Sequence, residues 1–262
     1  MENENGSMLT FGGHLEVLRQ MLFRILGVTG VIAIVVFCFK ETTWRLLLAP
    51  SECTFCTYQW IENVLHWLGF PQFHFDEYHV DMIATDLSSQ FMTHITTALY
   101  IGLLCASPYI LFELFHFVSP ALYENEKRYA IPLLICIYAL FILGVLMSYF
   151  VLFPISFRFL GTYSVAEKIQ SNITLKSYIT TFTTLTLVMG VVFQLPVIAF
   201  ILAKLELVTS QVLIKYRKHA FLVIMIVAAV ITPPDLMTLV LVTLPLYLLY
   251  VLSIRIVKIV AE

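Results

Sequence analysis

The most regular pattern in the chain is a set of long apolar runs that carry no Asp, Glu, Lys or Arg. About 20 apolar residues cross a bilayer core as a helix, and most of these runs reach or exceed that length. The pattern therefore predicts an all-α integral membrane protein. With the interruption described next, the expected spans are 21–39, 88–112, 129–153, 178–203, 219–232 and 236–254; the first extends back past its charge-free run to include Arg24 at the interface.

The last apolar stretch, from His219 to Ile254, is interrupted by Thr232-Pro233-Pro234-Asp235. Proline fixes its own φ, and the residue before it avoids the α region, so this sequence ends a helix. The piece 219–231 reaches only about 20 Å, against a hydrocarbon core of roughly 30 Å. We therefore predict six spans, the last two being short helices that form a hairpin.

Composition agrees with a membrane location. The chain has 262 residues, of which 60% are hydrophobic and 12% charged, and its mean hydropathy is +0.91. Soluble domains carry about 25% charged residues. No basic face exists to neutralise phosphates, which excludes nucleic-acid binding. The first run follows a polar, acid-containing segment without a small-residue cleavage site, so we expect a retained helix.

Lys and Arg are distributed unequally between the two sides of the expected topology. With both termini cytoplasmic, ten of them lie on that side and five on the other, which favours N-in, C-in by the positive-inside rule. The segment 40–86 is then a long outer loop with short interfacial helices, and 161–176 is a second outer loop. No internal repeat of the kind found in secondary transporters is visible.

Five short motifs stand in a fixed order along this pattern. They are His14-Leu15-Glu16-Val17-Leu18-Arg19, Met82-Ile83-Ala84-Thr85-Asp86, the stretch from Phe117 to Arg128 that contains Ser119-Pro120-Ala121-Leu122-Tyr123 and Glu126, Phe193-Gln194-Leu195-Pro196, and Thr232-Pro233-Pro234-Asp235. Together they resemble the TatC family, the core subunit of the twin-arginine protein translocase. The resemblance runs from about His14 to Ile254, and we expect one TatC-like membrane domain over 1–262.

The resemblance implies a receptor without cofactor or metal, and no enzyme activity. Such proteins bind the twin-arginine signal peptide of folded cargo at the cytoplasmic face of the inner membrane. They self-associate in a receptor complex and recruit TatA- and TatB-like single-span proteins. Export of the folded cargo is driven by the proton-motive force.

An arginine pair is best held by carboxylates, because guanidinium offers a planar donor fork that a carboxylate accepts bidentately. Glu126 is the expected primary arginine ligand, against the alternative of an ordinary solvated loop. Glu16 is a weaker candidate, since the family usually places its carboxylate at the position of Val17. The resemblance assigns Arg19 and Arg128 to ordering the site.

The other residues that the resemblance places in signal-peptide binding are Phe117, Pro120, Leu122 and Tyr123. A proline-containing turn rigidifies a recognition loop and lowers the entropic cost of binding. The alternative is that Pro120 simply ends the second helix.

Two further sites lie in the later spans. Gln194 stands where many family members carry Glu; it is expected to line the concave face that contacts the signal peptide or a partner helix, with interhelical hydrogen bonding as the alternative. The segment Thr232-Pro233-Pro234-Asp235 corresponds to the outer tip where partner helices dock. Leu239 replaces a Gln that often follows it.

The outer loop contains Cys53-x-x-Cys56, with His66, His74 and His79 further on. Cys and His ligate zinc, but a second Cys pair is absent, so a disulfide or free thiols are favoured over a metal. The alternative function is a proton-coupled or passive transporter, which needs ionisable residues at mid-membrane, and the four longer charge-free runs contain none. An intramembrane zinc protease would need H-E-x-x-H, which the sequence lacks.

Overall fold

A computed structural model describes residues 11–70, 81–118, 130–163 and 172–261. Within these residues the fold is helical apart from one two-residue parallel pairing, in which Met82 and Ile83 (β1) lie opposite Ile173 and Thr174 (β2). The helices are α1 Phe11–Cys38, α2 Lys40–Leu48, α3 Cys56–Trp67, α4 Ser89–Val118, α5 Ala130–Met147, α6 Phe153–Thr162, α7 Leu175–Val192, α8 Leu195–Lys204, α9 Ser210–Lys215, α10 Arg217–Ile231 and α11 Leu236–Ala261.

Within the described ranges, five helical segments are long and apolar enough to cross a membrane, as a multi-pass membrane protein requires. They are Leu15–Cys38, Ser89–Phe117, Ile131–Thr162, Leu175–Lys204 and Leu236–Ile259. The expected sixth span corresponds to α10, which has 15 residues and reaches only about 22 Å. Its crossing of the membrane stays a prediction.

The last helix is longer than predicted. We expected both helices of the final hairpin to be short, but α11 has 26 residues, because Arg255 and Lys258 continue it beyond the expected end at 254. Both side chains are exposed while Val257 is buried between them, so charge and burial fall on different faces of one helix. Lys and Arg are good helix formers.

The third span also extends past its predicted end. After α5, a π-helical turn at Ser148–Leu152 leads directly into α6. Pro154 lies in the first turn of α6, where its missing N–H costs little. The helical segment therefore continues to Thr162 instead of stopping at 153.

Contacts between Cα atoms divide the chain into two compact units. The first unit comprises Met1–Cys38 and Ala98–Tyr138. In it α1 and α4 approach closely: a Cβ added to Gly102 would lie 2.9 Å from Cα of Ala33. Ala98 and Ala106, four residues to either side of Gly102, are also buried. Small residues at this spacing allow membrane helices to pack at short range.

The second unit comprises Phe39–Thr97 and Ala139–Glu262. Its centre is an aromatic cluster in which the ring of Phe153 meets the rings of Tyr178 and Phe182 edge to face, with centroids 5.0 and 4.9 Å apart. Phe157 also meets Tyr178 edge to face. Such geometry aligns the positive ring edge with the negative face, so it orients α6 against α7.

The loop after α1 is tied to this cluster by buried hydroxyl groups. Tyr58 of α3 donates to the carbonyl of Pro154 at 2.9 Å, and Tyr178 of α7 donates to the carbonyl of Leu47 at 2.7 Å. Thr57 donates to the carbonyl of Phe150. The expectation of short helices in this loop is confirmed by α2 and α3, and these hydrogen bonds hold them against the second unit.

Candidate functional site

The N-terminal part of α1 carries two of the predicted signal-peptide residues. Glu16 Oε1 accepts a hydrogen bond from Arg19 Nη2 at 2.7 Å and another from Gln20 Nε2 at 3.2 Å. The side chains of Glu16 and Arg19 are 47% and 67% exposed. Residues three and four positions apart face each other on a helix, so this is a local surface pair that solvent screens.

A carboxylate that the sequence analysis did not single out lies within the α4 span. Glu113 is buried, and its Oε1 accepts a hydrogen bond from the Tyr109 hydroxyl at 2.6 Å. The same oxygen lies 3.5 Å from Nη1 of Arg24 on α1. The apolar run ends at Phe112, so the sequence alone suggests that Glu113 lies in the loop after the span. In the structure the helix continues to Val118.

Arg24 reaches this carboxylate from the outside of the first unit. The sequence places Arg24 at the edge of the first span, where a long cationic side chain extends toward the interface. In the structure its side chain is 57% exposed, whereas that of Glu113 is 9% exposed. A buried ionised carboxylate is costly unless it is paired, and Arg24 and Tyr109 supply that pairing.

Phe117 lies half-buried in the last turn of α4. The remaining predicted signal-peptide residues fall outside the described residues; they are Pro120, Leu122, Tyr123, Glu126 and Arg128. Of the predicted set, the described part of the chain brings Glu16 and Arg19 together. A second group, Arg24 of α1 with Tyr109 and Glu113 of α4, was not predicted from the sequence.

Gln194 lies at a break in the fourth span and not within a continuous helix. α7 ends at Val192 and α8 begins at Leu195, with Pro196 in its first turn. Proline has no N–H to continue the helical ladder, which explains the break. Nε2 of Gln194 donates to the carbonyl of Gly190 at 3.5 Å, so the Gln194 side chain hydrogen-bonds the last turn of α7.

The Thr-Pro-Pro-Asp corner ends one helix and begins the next, as predicted. Thr232 takes an extended conformation at ψ 156° after α10 ends. Its hydroxyl is buried and donates to the carbonyl of Ala228 at 2.9 Å. Pro233 and Pro234 follow, and Asp235 precedes the first residue of α11. The Thr232 donor is thus already used within the chain.

Asp235 caps the N-terminus of α11. Its Oδ1 accepts the backbone N–H of Thr238 at 2.7 Å, which satisfies one of the four N–H groups that a helix start leaves unpaired. Its Oδ2 and the hydroxyl of Thr238 are buried and have no hydrogen-bond partner among the described residues. The corner therefore holds unused polar capacity beside exposed Leu236 and Met237.

A cavity of about 510 Å³ adjoins this corner in the second unit. Aromatic side chains of α6 form one wall, and Ile231, Thr232 and Pro233 close another. The polar part of its lining consists largely of hydroxyl groups, from Ser156, Ser177, Thr180, Thr181, Thr184 and Thr232. Four of these residues, Ser177, Thr180, Thr181 and Thr184, are spaced three or four positions apart along one face of α7.

Cys53 and Cys56 form no disulfide in the structure, and Cys56 is the first residue of α3. Among the described residues no group of three or more His, Cys, Asp or Glu side chains is arranged to hold a metal ion. His74 and His79 lie outside those residues.

The chain is similar to proteins of one family along nearly its whole length. A sequence model of that family, "Sec-independent protein translocase protein (TatC)", matches residues 13–245. The protein of that name from Blattabacterium (strain BPLAN) is 32% identical over 263 aligned positions, covering 98% of this chain and 97% of its own length. The one from Escherichia coli K12 is 30% identical over 80% of this chain and 81% of its own.

The solved structures agree with the sequence comparison. A crystal structure of a twin-arginine translocase receptor, TatC, superposes with a TM-score of 0.75 at 28% identity, covering 95% of this chain and all of that one. A second, in the detergent DDM, gives 0.74 at 29% identity over 94% of this chain and 99% of that one. From the family match and these likenesses, the chain belongs to the TatC family of Sec-independent protein translocase proteins.

Proposed function

We propose that this protein is the receptor for twin-arginine signal peptides and the core subunit of a translocase that exports folded proteins. The observation that carries the proposal is its membership of the TatC family over residues 13–245. The proposed driving force is the proton-motive force. The protein is no enzyme in this scheme; its chemistry is the recognition of guanidinium groups by carboxylates.

The proposed peptide site lies at the ends of α1 and α4 and in the segment that follows α4. Glu126 is its primary arginine ligand, assisted by Glu16. Arg19, 2.7 Å from Glu16, orders that carboxylate and does not itself meet the cargo arginines, since like charges repel. Phe117 supplies an apolar contact beside the arginines. Arg128, Pro120, Leu122 and Tyr123 shape the rest of the site.

The proposed topology has six spans with both termini on the cytoplasmic side of the inner membrane. The ten-to-five distribution of Lys and Arg supports this orientation. The sixth crossing requires α10, whose length of about 22 Å falls short of a hydrocarbon core of roughly 30 Å. Local thinning of the bilayer, or partner helices packed beside α10, absorbs this mismatch.

The proposed docking site for TatA- and TatB-like helices is the corner at Thr232-Pro233-Pro234-Asp235. The side chains of Leu236, Met237 and Val240 beside it are 80%, 51% and 60% exposed. Helices associate in lipid largely through packing, and these exposed apolar side chains supply the packing surface beside the corner. Gln194 contributes an amide to the proposed concave face, and self-association completes the proposed receptor complex.

The receptor function is tested by photo-cross-linking of a twin-arginine peptide to the full-length protein in membranes. Glu126→Ala and Glu126→Lys are expected to abolish cross-linking while the protein still accumulates. Glu41→Gln, which removes an exposed carboxylate of α2, is the matched control and should leave cross-linking intact. Normal capture by both Glu126 variants contradicts the proposal.

A multispanning proton-coupled transporter is the second candidate, and Glu113 is the observation that bears on it, because it is an ionisable group inside a span. It lies only five residues from the end of α4, not at mid-membrane, and Tyr109 and Arg24 both contact its Oε1. Purified protein in liposomes should show no solute or proton flux without partners. Such flux would favour the transporter.

A further inference from the structure

We propose that Glu113 is a second arginine-binding carboxylate, which accepts one guanidinium of the cargo's arginine pair in exchange for Arg24. This inference rests on the proposed receptor function and adds a specificity-determining residue to it. An arginine pair carries two guanidinium groups, so its full recognition requires two carboxylate partners.

The first unit offers few carboxylates. Within its described residues, 11–38, 98–118 and 130–138, the acidic side chains are Glu16 and Glu113. Glu16 is 47% exposed and bound by Arg19 at 2.7 Å. An arginine that displaced Arg19 would exchange one solvated, screened contact for another, and such pairs contribute little.

Glu113 is in the opposite state, buried and incompletely paired. Oε1 of Glu113 lies 3.5 Å from Nη1 of Arg24, whereas close N–H···O contacts between charged groups measure about 2.7–2.9 Å. Its described hydrogen bonds all go to Oε1, so Oε2 has no partner within the described part of the chain. A guanidinium that binds both oxygens in parallel therefore gains a contact that Arg24 does not make.

The approach to Glu113 is open to a side chain from outside the unit. The side chain of Arg24 is 57% exposed and still reaches the carboxylate, so a guanidinium arriving along the same surface can do so as well. Phe112 and Leu114 are 48% and 43% exposed beside Glu113. They offer an apolar surface to the hydrophobic segment that follows the charged part of a signal peptide.

The geometry of α1 explains why this chain needs such a residue. Positions seven apart on a helix differ by only about 20° in direction, whereas positions eight apart differ by about 80°. Val17 therefore shares the face of Arg24, and Glu16 does not. The face of α1 turned toward Glu113 lacks a carboxylate of its own at position 17, and Glu113 supplies negative charge to it from α4.

The competing interpretation is a fixed ion pair that only holds α1 against α4. The two interpretations predict opposite effects of Arg24→Gln. In a fixed pair this change leaves a buried charge uncompensated, which lowers stability, and it creates no preference for either arginine of the cargo. In an exchangeable pair it removes the competitor of the cargo arginine, and peptide binding tightens.

The test is a double-mutant cycle on the full-length protein in lipid nanodiscs, with a labelled peptide in which an Arg-Arg pair precedes an apolar segment. Binding is measured by fluorescence anisotropy for this peptide and for two peptides in which the first or the second Arg is replaced by Gln. Glu113→Gln should weaken binding of the Arg-Arg peptide by about tenfold to a hundredfold. For one of the two singly substituted peptides that loss should fall to about twofold or less, because the partner is already gone.

An equal loss for all three peptides overturns the inference. If Glu113→Gln does not fold, Arg24→Gln carries the test: tighter binding of the Arg-Arg peptide that is lost for one of the two singly substituted peptides supports the exchange. Unchanged binding, weaker binding, or an equal gain for all three peptides overturns it. A Lys-Lys peptide distinguishes a failure of the proposed receptor function from a failure of the proposed role of Glu113. Wild-type protein that binds it as well as the Arg-Arg peptide contradicts the receptor function itself, whereas a wild-type preference for Arg-Arg without coupling to Glu113 contradicts only the present inference.

Discussion

Asp235 and Thr238 are joined by a 2.7 Å hydrogen bond from the Thr238 backbone N–H to Asp235 Oδ1, which makes Asp235 the N-cap of α11. Asp235→Ala removes this acceptor and should destabilise the protein by about 1 kcal/mol, whereas Asn, which caps about as well as Asp, should preserve most of the stability. Thermal unfolding of the purified protein in detergent measures both. Equal destabilisation by Ala and Asn would show that the charge, and not the cap, is what stabilises α11.

Gly144 of α5 is required by the close approach of α7. A Cβ at this position would lie 2.5 Å from the carbonyl oxygen of Met189, a backbone atom that cannot turn aside. Gly144→Ala should therefore destabilise the protein by about 1–3 kcal/mol, measured as a lower midpoint of thermal unfolding.

Gly27 provides the matched control. A Cβ there meets no described atom within 4 Å, so Gly27→Ala adds only the better helix propensity of alanine. It should leave the midpoint unchanged or raise it. A similar loss for both variants would contradict the close packing of α5 on α7.

The sequence predicted the features that depend on local chemistry. Charge-free runs marked the spans, and the Thr-Pro-Pro sequence ended α10 at Ile231 as expected, because backbone restrictions at proline act within one or two residues. Helix ends that depend on burial were missed. α11 continues past Arg255 because Val257 packs inward on the other face, and the residues next to Val257 in sequence do not indicate that it is buried.

Glu113 shows the same limit at the candidate site. An acid next to the end of an apolar run has the same appearance whether it is solvated or buried. What distinguishes the two is the pairing with Arg24, 89 residues away, which only tertiary structure provides. The hydrogen bonds that hold the long loop could not be predicted for the same reason: Tyr178 and its acceptor Leu47 are 131 residues apart in sequence.

The anchor between Tyr178 and Leu47 gives a third prediction. Tyr178 donates to the Leu47 carbonyl at 2.7 Å in a buried setting. Tyr178→Phe leaves that carbonyl unsatisfied, which costs about 1–3 kcal/mol. We expect a lower unfolding midpoint and faster proteolysis between residues 40 and 67.

Tyr163→Phe is the control for this change, because Tyr163 is 62% exposed and loses only a hydrogen bond to solvent. It should match the wild type in both measurements. If Tyr178→Phe leaves the proteolysis rate at the wild-type value, the hydroxyl does not hold the loop in place.

Position 17 gives the last prediction, on peptide binding. Val17 is 42% exposed and shares the helix face of Arg24, because seven residues bring a helix back to within about 20°. Val17→Glu places a carboxylate where the family usually has one and should tighten binding of the Arg-Arg peptide severalfold. Leu15→Glu adds the same charge to an exposed position about 160° away on α1, and we expect it to change binding by less than about twofold. If the two variants act alike, a general increase in negative charge attracts the peptide, and the face that α1 shares with Arg24 has no special part in recognition.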